Sequence, residues 1–204
     1  MDEYARIARF YDRAVGPALR PVHRSMAAGL AAKGLRSVLD LCCGTGTLAG
    51  MMTDKGFRAV GVDLSPAMLA QARKKHPAAT FIDGDAASLF FDDDSFDAAV
   101  VSFALHEKPE STALAILAEA RRVVRTGGTI LAADYRIPSP MQAHWVGALV
   151  HGVERLAGRE HYGHFRRYME KGGTDAFLTR AGLLNLPAAS FFKGWGGVYV
   201  AAGD

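Results

Sequence analysis

Asp40, Asp63 and Asp85 each end a short apolar run or stand in the turn beyond one, and a loop of small residues, Cys42-Cys43-Gly44-Thr45-Gly46, follows the first of them. Glycines at such a turn allow positive φ and close approach of the backbone to a ligand. The helix start beyond them offers unpaired N–H groups. Gly44-x-Gly46 with Gly50 four residues on could be a degenerate dinucleotide cradle, a weak pattern by itself. Electrostatics argues otherwise: Asp40 faces the loop, where a pyrophosphate would meet a like charge. A ligand that is cationic at this end and carries no phosphate suits the acid better. Asp63, about twenty residues past the loop, can accept both hydroxyls of a ribose. His106 closes a long apolar run and titrates in the range a general base needs. A histidine there can equally orient a substrate or pack.

These groups need a parallel sheet to hold them. Val38–Leu41 reads as a buried strand running into a helix with Leu48, Met51 and Met52 on one side. Ala59–Asp63 is a second strand, and Ser65-Pro66 supplies an N-cap and first-turn proline for the next helix. Leu64 and Met68 lie where they could pack on the base of the ligand, and core packing explains Met68 nearly as well. Thr80–Asp83 begins a third strand before the turn Gly84-Asp85-Ala86, Ser95–Leu105 forms a fourth, and Thr129–Asp134 a fifth. In such a sheet ligands sit beyond the carboxyl ends of the strands, so Ser102 to His106 should line the site of reaction. A long helix is expected from about Met141 to Gly158 and another over Thr174–Ala181, with terminal strands near Ala188–Lys193 and Gly197–Ala202. The fold class is α/β: a doubly wound, mostly parallel seven-stranded sheet with helices on both faces and an N-terminal helical cap.

Ahead of the first strand, Tyr4, Ile7 and Tyr11 form a helical stripe, Gly16-Pro17 breaks it, and Leu19, Val22, Met26 and Leu30 form a second. Residues 1–36 carry seven Lys/Arg against three acids. That is either a solvated helix face or a surface drawn to an anionic substrate or membrane. With 204 residues, a net charge of +3 and half its residues hydrophobic, the chain fits one α/β domain. The expected division is a lid over 1–35, a cofactor-binding half over 36–135 and a substrate-side part over 136–204. No apolar run reaches a membrane span. The two adjacent cysteines give neither a disulfide framework nor a zinc pattern, which fits a reducing cytoplasm. Asp92-Asp93-Asp94 reads as a surface loop, and His144 with His151 lacks a third ligand, so no metal is expected.

The ordered series resembles the class I S-adenosylmethionine-dependent methyltransferases, whose first motif runs D-x-G-x-G-x-G. Asp40, Gly44 and Gly46 match it, with Cys42 in the place of the first glycine. The resemblance implies S-adenosylmethionine as cofactor and S-adenosylhomocysteine as product. It implies adenine reading by Asp85 and the Ala86 N–H, and closure of Tyr11-Asp12 over the cofactor, as in quinone and phospholipid methylases. Family members similar to small-molecule methylases carry a stretch like His161-Tyr162-x-x-Phe165 near the substrate pocket, so Tyr162 and Phe165 are expected to meet the acceptor, although aromatics among arginines also suit nucleic acid. The leading reading is methyl transfer by in-line displacement to a small aromatic or lipophilic molecule. The partners expected are that substrate, no nucleic acid, and peripheral contact of the N-terminal helices with an anionic membrane. A non-catalytic binding module on the same fold is the alternative. A nicotinamide-dependent reductase fits less well, for want of a Tyr-x-x-x-Lys pair, and no Asn/Asp-Pro-Pro-aromatic motif marks a nucleic-acid methylase.

Overall fold

The computed structural model describes residues 8, 12, 13, 15–138, 144–183 and 187–203. In chain order the elements are α1 (Gly16–Ala32), β1 (Ser37–Leu41), α2 (Thr47–Asp54), β2 (Arg58–Asp63), α3 (Pro66–Lys75), β3 (Thr80–Asp83) and β4 (Phe96–Ser102). There follow α4 (Glu110–Val123), β5 (Val124–Tyr135), α5 (His144–Leu156), α6 (Arg159–Glu170), α7 (Gly173–Arg180), β6 (Ala189–Phe191) and β7 (Gly196–Ala202). The strands lie in the order β3-β2-β1-β4-β5-β7-β6. The first five are parallel, and β7 runs antiparallel to both β5 and β6. The doubly wound, mostly parallel seven-stranded sheet is as expected.

Central β1 is buried along its whole length, as a parallel strand covered on both faces must be. The order reverses between β1 and β4, and that switch point opens a crevice beyond their carboxyl ends. Helix α1 caps it: Val22, Met26 and Leu30 are buried, while Arg20, Arg24 and Lys33 face outward. The dipeptide Gly16-Pro17 opens α1, proline being suited to a first turn whose N–H groups have no partner. The stripe expected at Tyr4, Ile7 and Tyr11 lies outside the described residues.

Three boundaries differ from the sequence reading for identifiable reasons. Strand β4 stops at Ser102 because Phe103 turns to φ 52° and donates its N–H to the Ala133 carbonyl at 2.7 Å. Strand β5 starts at Val124, directly off α4. A separate helix, α6, occupies the aromatic and basic segment, with Phe165, Tyr168 and Met169 on its buried face. No helix among the described residues is long and apolar enough to cross a membrane.

Candidate functional site

A cavity of about 420 Å³ opens at the switch point. The turns after β1, β2, β3 and β4 wall it, and α1 roofs it with Val15, Leu19 and His23. Asp40 reaches it from the end of β1 while being only 2% exposed, and its Oδ2 has no hydrogen-bond partner among the described residues. Desolvation pushes its pKa up to about 8, and the nearby Asp63 adds to the shift, partly offset by the Ala49 N–H. A buried carboxylate oxygen without a partner needs either a proton or a cation.

The loop beside it is held from both sides. Asp63 accepts the Gly44 N–H through Oδ2 and the Ser65 N–H through Oδ1, each at 2.8 Å. Ser65 in turn caps α3 by accepting the Met68 N–H at 3.1 Å. Cys42 takes φ 55° and Gly46 φ 73°. At Gly46 a Cβ would stand 2.5 Å from the Phe81 ring, so glycine is required there by both space and backbone. Cys42 has no such excuse and stores strain. Cys42 lines the cavity, and burial pushes its thiol pKa up to about 12, which favours the protonated form. From the roof, Asp12 accepts a hydrogen bond from the Thr45 hydroxyl and pairs with Lys75, each at 2.5 Å. That ties the lid to the loop and to the end of α3.

At the other end of the cavity stand Leu64, Met68, Asp85 and Ala86. Leu64 is an exposed apolar side chain, and Asp85 holds its turn by accepting the Ala87 N–H at 2.8 Å. Between the two ends, Ser102, Phe103, Ala104, Glu107, Lys108, Thr112 and Ile116 form the wall opposite the lid. His23 shares a hydrogen bond between its Nε2 and the Ser102 hydroxyl at 3.1 Å. Its Nδ1 is buried without a partner among the described residues. Desolvation lowers its pKa to about 4 against the pull of Asp12, so the ring is neutral.

Residues 38–128 match the family model described as a methyltransferase domain. The chain is 41% identical over 108 residues to a demethylmenaquinone methyltransferase of Beutenbergia cavernae, covering 52% of this chain and 44% of that protein. It is 33% identical over 154 residues to the ubiquinone/menaquinone biosynthesis C-methyltransferase UbiE of Paracoccus denitrificans, covering 68% and 60%. Over residues 38–128 the chain is a methyltransferase domain. It spans about half the length of the curated relatives it matches. In fold it is similar to the magnesium protoporphyrin IX methyltransferase of Synechocystis PCC 6803 solved with bound S-adenosylhomocysteine. The TM-score is 0.66 at 19% identity, over 96% of this chain and 88% of that one.

The residues that line the cavity fit S-adenosylmethionine as cofactor. Asp40 offers an unpartnered buried carboxylate oxygen to a cationic amino acid moiety. The space beside Gly44 is open where a Cβ would stand, so a ligand can approach the backbone. Of the cofactor residues expected from sequence, Asp40, Cys42, Gly44, Asp63, Leu64, Met68, Asp85, Ala86 and Ser102 line the one cavity. Gly46 lies just behind it as the residue before α2, and Tyr11 is outside the described residues.

The acceptor side departs from expectation. His106 does not line the cavity and is 3% exposed. Its Nδ1 lies 2.6 Å from Asp134 Oδ1 and its Nε2 3.2 Å from Glu154 Oε2. Burial would lower its pKa, but the two carboxylates together raise it well above the usual value. A ring with both nitrogens engaged by carboxylates has no lone pair free for a substrate proton, which corrects the role of general base given to it. Phe165 is wholly buried against His106 and Tyr135, and the Tyr162 hydroxyl bonds His151 Nδ1 at 3.0 Å; neither reaches the cavity. Both were expected at the substrate, but α6 turns its aromatic face onto the core. Phe103 faces the cavity, as the expectation for Ser102 to His106 had it, and so do His23, Glu107 and Lys108, which the sequence does not single out. A histidine within an apolar helical stripe was the one available signal for His23.

Proposed function

We propose that this chain transfers a methyl group from S-adenosylmethionine to a small aromatic acceptor of the quinol type. The observation that carries the reading is the unpartnered buried oxygen of Asp40 in a cavity that Asp63 and Asp85 also line. When bound, the cofactor supplies an already activated methyl group, so the protein's task is alignment and exclusion of water. Asp40 would hold the ammonium, Asp63 the ribose while fixing the loop, and Leu64, Met68 and Asp85 the adenine. The acceptor would lie under α1 between Leu19, Phe103 and Ile116, an apolar slot that suits a ring better than a sugar. His23 Nδ1 would meet the ring hydroxyl as a hydrogen-bonding partner. The names of the relatives, a demethylmenaquinone and a ubiquinone/menaquinone methyltransferase, favour the same acceptor class. The exposed arginines of α1, Arg20 and Arg24, would bring the lid to an anionic bilayer in which such acceptors dissolve.

The test is transfer of labelled methyl from S-adenosylmethionine to reduced demethylated naphthoquinones and benzoquinones, beside catechols and amino acids as controls. Label in a quinol is the expected result. Binding of the cofactor with no incorporation into any ring would leave a binding module instead.

A further inference from the structure

Behind the turn that follows β4, and separated from the cofactor cavity by Glu107, three side chains from three segments converge. His106 Nε2 faces Glu154 Oε2 of α5 at 3.2 Å, and His161 Nε2 of α6 faces the same oxygen at 2.6 Å. The donor atoms of the three all lie within 4.8 Å of one another. We propose that His106, Glu154 and His161 form a binding site for one divalent transition-metal ion of the zinc type. Two imidazoles and a carboxylate are a known donor set for such ions, and imidazole donors disfavour magnesium and calcium.

The surroundings have the organisation a metal site needs. Metal-bound imidazoles donate their other N–H to a carboxylate or carbonyl, which fixes ring and tautomer. At His106 the acceptor for Nδ1–H is Asp134 Oδ1, at 2.6 Å. Asp134 is itself fixed, its oxygens accepting the backbone N–H groups of Leu105, His106 and Tyr135. Glu107 Oε2 stands 3.5 Å from His161 Nδ1, and the Tyr135 hydroxyl donates to the other oxygen of Glu154 at 2.9 Å.

The space admits the ion after one side chain moves. Tetrahedral zinc with ligand distances of about 2.0–2.2 Å puts neighbouring donors roughly 3.3–3.6 Å apart. The His106–Glu154 pair at 3.2 Å is close to this, and the His161–Glu154 pair at 2.6 Å must open by somewhat under an ångström. His161 is the one of the three ligands that is not fully buried, with 11% of its side chain exposed, so the shift falls to it.

The experiment is metal analysis of the full chain after zinc reconstitution and desalting, with cobalt substitution read by visible absorption. Wild type should retain about one zinc per chain, and zinc should raise the melting temperature where magnesium does not. Cobalt should give d–d bands of an imidazole–carboxylate site. His161→Ala and Glu154→Gln should lose the metal while keeping the far-ultraviolet circular dichroism of the wild type. Tyr135→Phe should weaken affinity about 10–100-fold, as expected for loss of a partner that orients a ligand. A folded wild type that retains no zinc and gives no cobalt bands overturns the proposal. So does undiminished binding in both ligand variants. If those variants fail to fold, the wild-type cobalt spectrum and its stoichiometry decide.

Discussion

Asp40 makes cofactor affinity depend on pH with a slope that follows from the structure. With its pKa at about 8, the carboxyl is mostly protonated at neutral pH. A cationic ligand binds the ionised form, so binding must first remove that proton. The cost is RT ln(1 + 10^(pKa − pH)), about 1.4 kcal/mol at pH 7 and about 2.7 kcal/mol at pH 6. Affinity for S-adenosylmethionine should therefore rise about ninefold from pH 6 to pH 7, a range in which the ligand's own amine stays charged. Binding should release about 0.9 proton per chain at pH 7, measurable by calorimetry in buffers of different ionisation enthalpy. Asp40→Asn should bind more weakly and lose the slope. An acid whose pKa is raised on folding removes stability as pH rises from its unfolded value toward its folded one. The ligand-free melting temperature of Asp40→Asn should accordingly gain on wild type between pH 5 and pH 8. Flat affinity from pH 6 to pH 7 with no proton release would refute the assignment of Asp40 as the cationic subsite.

Cys42→Gly relieves a positive φ and should raise stability by about 1 kcal/mol in thermal melts, with cofactor affinity within about tenfold of wild type. Asp63→Asn replaces an acceptor of the Gly44 and Ser65 N–H groups by a weaker one and should cost about 1–3 kcal/mol of cofactor binding by calorimetry. Unchanged affinity would remove Asp63 from the site. His23→Ala should reduce methyl transfer while leaving cofactor affinity nearly unchanged. Since its ring is neutral above about pH 5, the wild-type rate should show no inflection from it between pH 6 and 8. His106→Gln should leave cofactor binding intact and lower the melting temperature, because it leaves Asp134 and Glu154 without their shared partner.

The cofactor half of the site was legible because each part is local. An acid at a strand end, a turn of small residues and a capped helix are written within about a dozen residues, and parallel-sheet geometry carries them to one edge. Even the substitution of cysteine for the first glycine is resolved by one backbone angle, φ 55° at Cys42. The acceptor half is assembled from residues far apart in sequence. His23 reaches Ser102 across 79 positions, and Asp12 reaches Thr45 across 33. Periodicity tells that α1 has a buried face; it does not tell which buried position looks into the cavity. The family resemblance implies Tyr162 and Phe165 at the substrate, but helix phase turns Phe165 to the core.

His106 shows why a strand-end position alone does not make a base. The β4 end turns at Phe103 into the left-handed region, which is costly for an aromatic residue and persists only where surroundings hold it. Beyond that turn the side chains divide between two sides. His106 goes back toward α5 and α6, while Glu107 and Lys108 go forward to line the cavity. Lys108 pairs with Glu107 at 2.8 Å; burial works against its charge, and the neighbouring acid more than restores it. Three consecutive residues thus join two separate clusters of buried charge. His106 and Glu107 both take part in the network that includes His161, so a change in the charge held there is felt at the cavity wall through Glu107, whose pKa is held low by Lys108, His106 and His161 against the pull of burial. The loop's side chains are committed to different partners on its two sides, and the proposed in-line transfer to an acceptor lying against that wall would need such a fixed surface.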